Sequence, residues 1–402
     1  MRIRKSGFRR IAVKLQPVAL DERIDAIDMM RGFALLGIFV VNMLAFHTPF
    51  SYIDSYSFFE APADRAAFKY IDVFVQTSFY PLFSMLFGYG LAIQFMRAEK
   101  RGQAFLPLAV RRLLVLLVFG MIHAFLIWYG DILITYALLG FLLIFLLRLP
   151  AVALLVSAIL IYAVPHTMFL LASYMAATSG APFYTGIEEV ISSYEAYAQG
   201  SYSDIFMQRF ADWYNTNNLG NALFFTVTIL PYMLIGAAAG KLRLIEQAKR
   251  LWKLWTALAV IGLGAGLLLK FLPFLWQADY FTQYLQDFIG GPLVAVGYAA
   301  VIALLAQNVY IHKLLRPLAK TGRMSLTTYI AESVIATTIF YSYGFGLYGQ
   351  IDVVTGTWMA FGIYALLVIF AELWLTRFKQ GPLEMLWRKV TYGTKKSTPS
   401  GS

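Results

Sequence analysis

GMIHAFLIWYGDILITYALLG, residues 120–140, brings two apolar runs together at a Gly-Asp pair, with a histidine about two helical turns upstream. A helix needs about 20 mostly apolar residues to cross a hydrocarbon core. The runs on either side of Gly130 are about that long, so the stretch reads as two membrane helices meeting at a turn. His123 and Asp131 are the polar exceptions in it.

The same pattern recurs outward in both directions. Ten apolar runs fall at roughly 27–47, 68–96, 110–129, 131–148, 151–176, 219–240, 251–275, 287–308, 322–342 and 353–376. The 402-residue chain is 59% apolar and 16% aromatic, beyond the range of soluble domains, where about half the residues are apolar. The fold class predicted is all-α: a polytopic transmembrane helical bundle of about ten helices.

Charge placement sets the expected orientation. Of 33 lysines and arginines, 29 fall at 1–31, 97–112, Arg148, 241–253, 313–323 and 377–396, whereas the opposite loops carry acids such as Glu188, Glu189, Asp204 and Asp212. The positive-inside rule then puts both termini in the cytoplasm. Basic residues confined to short inter-helical segments are topology signals, which argues against nucleic acid as a partner of this +11 chain.

The organisation expected is a basic cytoplasmic segment at 1–26 and a transmembrane domain at 27–376. An extracytoplasmic insertion at 177–218 interrupts that domain, and an amphipathic cytoplasmic segment and tail follow at 377–402. Residues 1–26 show no convincing signal-peptide cleavage site. The aromatic insertion suits a helical lid at the headgroup level. With no cysteine, disulfides, thiolate zinc sites and iron–sulfur clusters are excluded. No HxxxH or HExxH spacing supports a metal centre.

Ionisable groups inside spans are costly and usually face a cavity or a partner. Lys270 and Glu372 lie near helix ends, where a long side chain can reach the interface. Glu332 sits deeper, on a polar stripe with Thr328 one turn earlier, and lines a cavity or packs as a neutral or paired acid. Ser84 and Gly88, and Gly236 and Gly240, have the spacing that lets helices approach closely; Ser84, Thr328 and Glu332 are the candidate cavity-lining residues. Arg31 and Asn42, eleven residues apart, share one helix face, about 16 Å apart. Arg31 with Arg111, Arg112 and Arg323 would make a basic mouth suited to a phosphorylated ligand.

His123 and Asp131 are separated by about 12 Å on one straight helix. Pairing requires the helix end to fold over near Gly130, or Asp131 to serve another histidine such as His47. An Asp orienting a His is a general-base arrangement. Asp131 before Ile-Leu-Ile reads equally as a helix N-cap.

Five ordered blocks carry a resemblance: RIDAIDMMRGFALLGIFVVN (23–42), FYPLFSMLFGYG (79–90), residues 111–140, GRMSLTTYIAESVIATTIFYSYGFGLYG (322–349) and GPLEMLWRKVTYG (381–393). Over nearly its whole length the chain resembles the YeiB-like family of bacterial membrane proteins, a family of unknown function. That family is similar, more distantly, to transmembrane acyltransferases, namely the acyltransferase-3 proteins and the heparan N-acetyltransferase.

This resemblance implies a multi-pass protein of the bacterial plasma membrane that takes acyl-coenzyme A from the cytoplasm and acylates an extracytoplasmic hydroxyl or amine on a glycan or lipid. Arg31, Arg111, Arg112 and Arg323 would hold the coenzyme A phosphates, and Asn42 would line the acyl path. Asn42 stands where the acyltransferase-3 proteins have histidine, and an amide is no general base. The base expected is therefore His47 or His123, aided by Asp131. The alternative is a transporter or a lipid- or solute-binding protein without catalysis. Homo-oligomerisation is left open.

Overall fold

The computed structural model describes residues 24–392; the first 23 residues of the basic segment and residues 393–402 of the tail lie outside it. The elements are helices and turns throughout. We label the principal helices α1 (Asp25–His47), α2 (Pro62–Phe74), α3 (Phe79–Lys100), α4 (Phe105–Ile122), α5 (Leu133–Leu146), α6 (Ala151–Thr178), α7 (Ile187–Tyr194) and α8 (Tyr202–Asn217). They continue as α9 (Leu219–Lys241), α10 (Trp252–Lys270), α11 (Tyr280–Leu305, interrupted by a π turn), α12 (Val309–Arg323), α13 (Ser325–Phe340), α14 (Val353–Arg377) and α15 (Pro382–Tyr392).

Eight helical segments among the described residues are long and apolar enough to cross a bilayer. The two remaining expected spans are α5, with 14 residues, and α13, with 16. Both fall short of the length a straight crossing needs. Irregular backbone at membrane depth persists only when buried in protein or against a cavity, so these two short helices mark where the bundle departs from simple spanning. The basic segment before α13 forms the amphipathic helix α12.

Close backbone packing builds the frame. A Cβ on Gly88 would lie 1.9 Å from the Met233 carbonyl oxygen, and one on Gly236 would lie 1.8 Å from that of Met85. The small-residue spacings at 84–88 and 236–240 thus do what they suggest: they seat α3 against α9. Helices α4 and α6 carry runs of exposed Leu, Val, Ile and Met on their outer faces, the surface a hydrocarbon solvent would cover.

Lys270 departs from expectation. Its side chain is fully buried and does not reach an interface; Nζ donates to the Gln76 carbonyl at 3.0 Å and lies 3.5 Å from Asp287. A second acid, Asp72, is held beside it through Gln286. Glu372 pairs with Lys320.

The insertion at 177–218 forms α7, a π turn and α8, folded as a lid over the end of α4. Arg209 and Asp212 of α8 are buried. Asp212 accepts hydrogen bonds from Tyr52, Tyr197 and Gln208. Burial pushes its carboxyl up from the usual range, opposed by those three bonds.

Candidate functional site

The chain leaves α4 through a π turn at His123–Ile127, after which Trp128 is extended (φ −155°) and its N–H returns to the His123 carbonyl at 2.8 Å. A π turn inserts a residue into the helical ladder and recurs at functional sites. Here it ends the helix, and the chain turns back over Trp128–Asp131, closing the 12 Å gap that a straight helix would leave between His123 and Asp131. His123 Nδ1 lies 2.9 Å from Asp131 Oδ1. The other carboxylate oxygen, Oδ2, accepts the Ile134 N–H at 2.7 Å and caps the first turn of α5. The capping and histidine-orienting readings of Asp131 are therefore both realised, one by each oxygen.

The far side of the imidazole faces a residue that the sequence did not single out. His123 Nε2 is 2.9 Å from Ser333 Oγ, in the middle of α13. With Asp131 accepting Nδ1–H, Nε2 presents its lone pair to the Ser333 hydroxyl. Asp131, His123 and Ser333 thus form one hydrogen-bonded line, and all three are buried. Tyr329, one turn before Ser333, lays its ring 4.9 Å from that of His123 and donates from Oη to the Gly130 carbonyl at 3.2 Å.

Two cavities lie beside this line of residues; His123, Asp131 and Ser333 themselves line neither, and Tyr329 stands between. The first, about 270 Å³, opens on the basic side among Arg31, Arg97, Arg112, Arg323 and Trp387, and becomes apolar inward at Phe83, Phe87 and Leu116. The second, about 230 Å³, is lined by Val41, Asn42, Thr77, Tyr80, Gly130 and Phe225 among others. Ile38, Ile132 and Tyr329 line both. Asn42 therefore lies beyond the mouth, in the inner chamber.

Three of the four expected arginines, Arg31, Arg112 and Arg323, line the mouth; Arg111 does not, and instead donates to the Thr391 carbonyl in α15. The Arg112 guanidinium stacks 4.3 Å above Trp387, and Trp387 donates back to the Arg112 carbonyl. Sequence reading missed Arg97, Arg101 and Arg388, which also line the mouth. Arg97 and Arg101 had been legible only as topology charges. Glu384 of α15 caps the start of α13 through the Leu326 and Thr327 amides. Burial pushes the Glu384 carboxyl up, against the hydrogen bonds from Thr327.

The other candidates are placed as follows. His47 is buried against Phe340 and Gly356 and has no hydrogen-bond partner on either ring nitrogen. Phe340 is seven residues beyond Ser333 on α13, so the two imidazoles meet that helix about 10 Å apart along its axis. Ser84, Thr328 and Glu332 are buried but line neither cavity. Ser84 shares a hydrogen bond with Tyr136, and Glu332 leaves Oε1 without a partner.

The lid reaches the same turn from outside. Arg209 Nη1 donates to the Phe125 carbonyl at 2.9 Å, and Tyr202 Oη donates to that of Leu126 at 3.2 Å. Both carbonyls belong to the π turn that begins at His123, so α8 fixes the backbone that aims the imidazole.

The family described as Protein of unknown function (DUF418) matches residues 239–394, which include Arg323 and Ser333. The uncharacterized protein YxaH of Bacillus subtilis (strain 168) is 35% identical over 396 residues, covering 94% of this chain and 96% of its own. An uncharacterized 39.9 kDa protein in the amylase 3′ region of Bacillus acidopullulyticus is 32% identical over 95% of this chain and 97% of its own. The uncharacterized protein YeiB of Escherichia coli (strain K12) is 28% identical over 92% and 96%.

Proposed function

Since the chain belongs to the YeiB-like family of membrane proteins, whose function is unknown, the reading must come from the site, and we propose that it is a membrane-embedded acyltransferase. The observation that carries this is the adjacency of the two cavities, which share Ile38, Ile132 and Tyr329 as a common wall. An arginine-lined mouth narrows to an apolar chamber whose inner wall, Gly130, Ile132 and Tyr329, backs onto the His123–Asp131 pair.

The chemistry follows from the residue types. Arginine grips phosphate bidentately, so Arg31, Arg112 and Arg323 with Arg97 suit the phosphates of an acyl-coenzyme A arriving from the cytoplasm. The phenyl and leucyl walls suit an acyl chain. Asp131 holds His123 in the tautomer whose Nε2 accepts a proton, which is the requirement for a general base. The acceptor is a hydroxyl or amine of a glycan or lipid approaching from the lid side, in the plasma membrane of a bacterium.

The test is equilibrium binding of palmitoyl-coenzyme A and acetyl-coenzyme A to protein in nanodiscs, with coenzyme A release followed by thiol titration. Saturable binding and His123-dependent release are expected. Absence of both for either thioester sinks the proposal.

A second reading, an ion-coupled transporter, is favoured by one feature. The buried Lys270–Asp287 pair is linked by hydrogen bonds to Thr77, which lines the inner chamber and is held at φ +55°. Buried charges in spans mark ion and proton paths. Gradient-driven uptake into proteoliposomes that survives His123→Ala would favour that reading over catalysis.

A further inference from the structure

Resting on the acyl-transfer reading, we infer that Ser333 is the nucleophile and carries the acyl group as a covalent ester between two half-reactions. His123 has two ring nitrogens, and both are engaged: Nδ1 by Asp131 and Nε2 by Ser333 Oγ. An acceptor hydroxyl could reach the base only by displacing Ser333. The group already within reach to lose a proton to Nε2 is the serine itself, whose other acceptor is the more distant Tyr329 carbonyl, 3.3 Å against 2.9 Å. A nucleophile, a base and an orienting acid within hydrogen-bond reach are the general signature of covalent catalysis.

Position along α13 gives the second argument. Ser333 lies eight residues from Ser325 at the basic end and seven from Phe340 at the lid end, about 12 Å and 10 Å along the axis. It is midway between the side that supplies a donor and the side that presents an acceptor. Direct transfer would require both substrates to meet at one point in the bundle. An ester on Ser333 separates the two encounters.

Tyr329 supplies the access. Its ring lies in the wall of both cavities and against His123, and a rotation that releases Oη from the Gly130 carbonyl would uncover Ser333 from the chamber. Burial of Ser333 in the closed state keeps water from the ester.

In the first half-reaction Ser333 Oγ bonds to the thioester carbonyl carbon as its proton passes to His123 Nε2. The C–S bond then breaks, and the departing coenzyme A sulfur takes the proton from Nε2. In the second, the acceptor oxygen or nitrogen gives its proton to Nε2 and bonds to the same carbon. The C–Oγ bond breaks, and Ser333 recovers the proton. Nothing is oxidised or reduced, and His123 ends as it began.

The experiment is isotope exchange between acetyl-coenzyme A or palmitoyl-coenzyme A and radiolabelled coenzyme A, with no acceptor present, on wild type, Ser333→Ala and Ser333→Cys in nanodiscs. Coenzyme A release in native-lipid vesicles is measured beside it, and gel filtration confirms folding. The inference predicts exchange by wild type and its loss, by a hundredfold or more, in Ser333→Ala, together with the release. It also predicts that Ser333→Cys forms an adduct cleaved by neutral hydroxylamine, as a thioester is and an oxygen ester is not. Release by folded Ser333→Ala within a few-fold of wild type, or wild-type release without exchange, overturns the covalent step and leaves acyl transfer standing. Neither exchange nor release by wild type overturns both.

Discussion

His123 Nδ1 stands 2.9 Å from Asp131 Oδ1, although the two residues are eight apart in a chain that is otherwise helical on both sides. A π turn and one extended residue, Trp128, produce that contact. Packing, the lid and the short helix α13 all bear on it.

Loss of Asp131 removes a helix cap and a histidine partner together. Asp131→Ala forfeits about 1 kcal/mol of capping and leaves the buried Nδ1–H of His123 unsatisfied, costing a further ~1–3 kcal/mol. Asp131→Asn keeps the shape and should cost less stability while abolishing the orientation of Nε2. Thermal unfolding in detergent, combined with a His123→Ala double-mutant cycle, checks this. Strictly additive effects would show that the two side chains are not coupled.

The mouth distinguishes neighbouring arginines. Arg112→Ala should raise the Kd for acetyl-coenzyme A tenfold or more, yet leave acetyl-pantetheine, which lacks the phosphates, little changed. Arg111→Ala should loosen α15, through loss of the Thr391 contact, with a smaller effect on Kd. Calorimetric titration of both variants with both ligands decides it, and equal losses for the two ligands would remove the phosphates from the account.

The lid should act through the π turn. Arg209→Ala deletes the donor to the Phe125 carbonyl, and the unsatisfied buried oxygen costs roughly 1–3 kcal/mol. Hydrogen exchange at residues 123–128 should quicken, and turnover should fall although Arg209 touches neither cavity wall. Unchanged protection of those amides would leave the lid a cover only.

Glycine packing offers a contrast within one experiment. Gly236→Ala places a methyl group against the Met85 carbonyl, whereas Gly264→Ala meets nothing within 4 Å. The first should lower stability by about 1–3 kcal/mol or more, and the second should be tolerated. Yield and melting temperature of the two variants provide the comparison.

The bundle was legible in the sequence because hydrophobic run length is a one-dimensional property. That α3 and α9 each approach a neighbour closely was legible too, since close approach requires small residues at fixed spacing; that they pack on each other was not. Ser333 was not: a serine in an apolar helix gives no local signal, and its role depends on a histidine 210 residues away. Lys270 was misread because distance to a helix end does not reveal whether the neighbouring element covers it; here the π turn of α11 does, with Asp287. His47 and His123 read alike in the sequence, and only the chain reversal at Gly130 gives one of them a hydrogen-bonded acid.

The central claim is that a thioester entering the arginine-lined mouth is cleaved through His123. Its most direct test is coenzyme A release from palmitoyl-coenzyme A by wild type and His123→Ala in native-lipid nanodiscs, with folding verified by gel filtration. The account predicts release by wild type and a fall of at least a hundredfold in the variant. Equal rates in the two, or no release from a wild-type protein that binds the thioester, would contradict it.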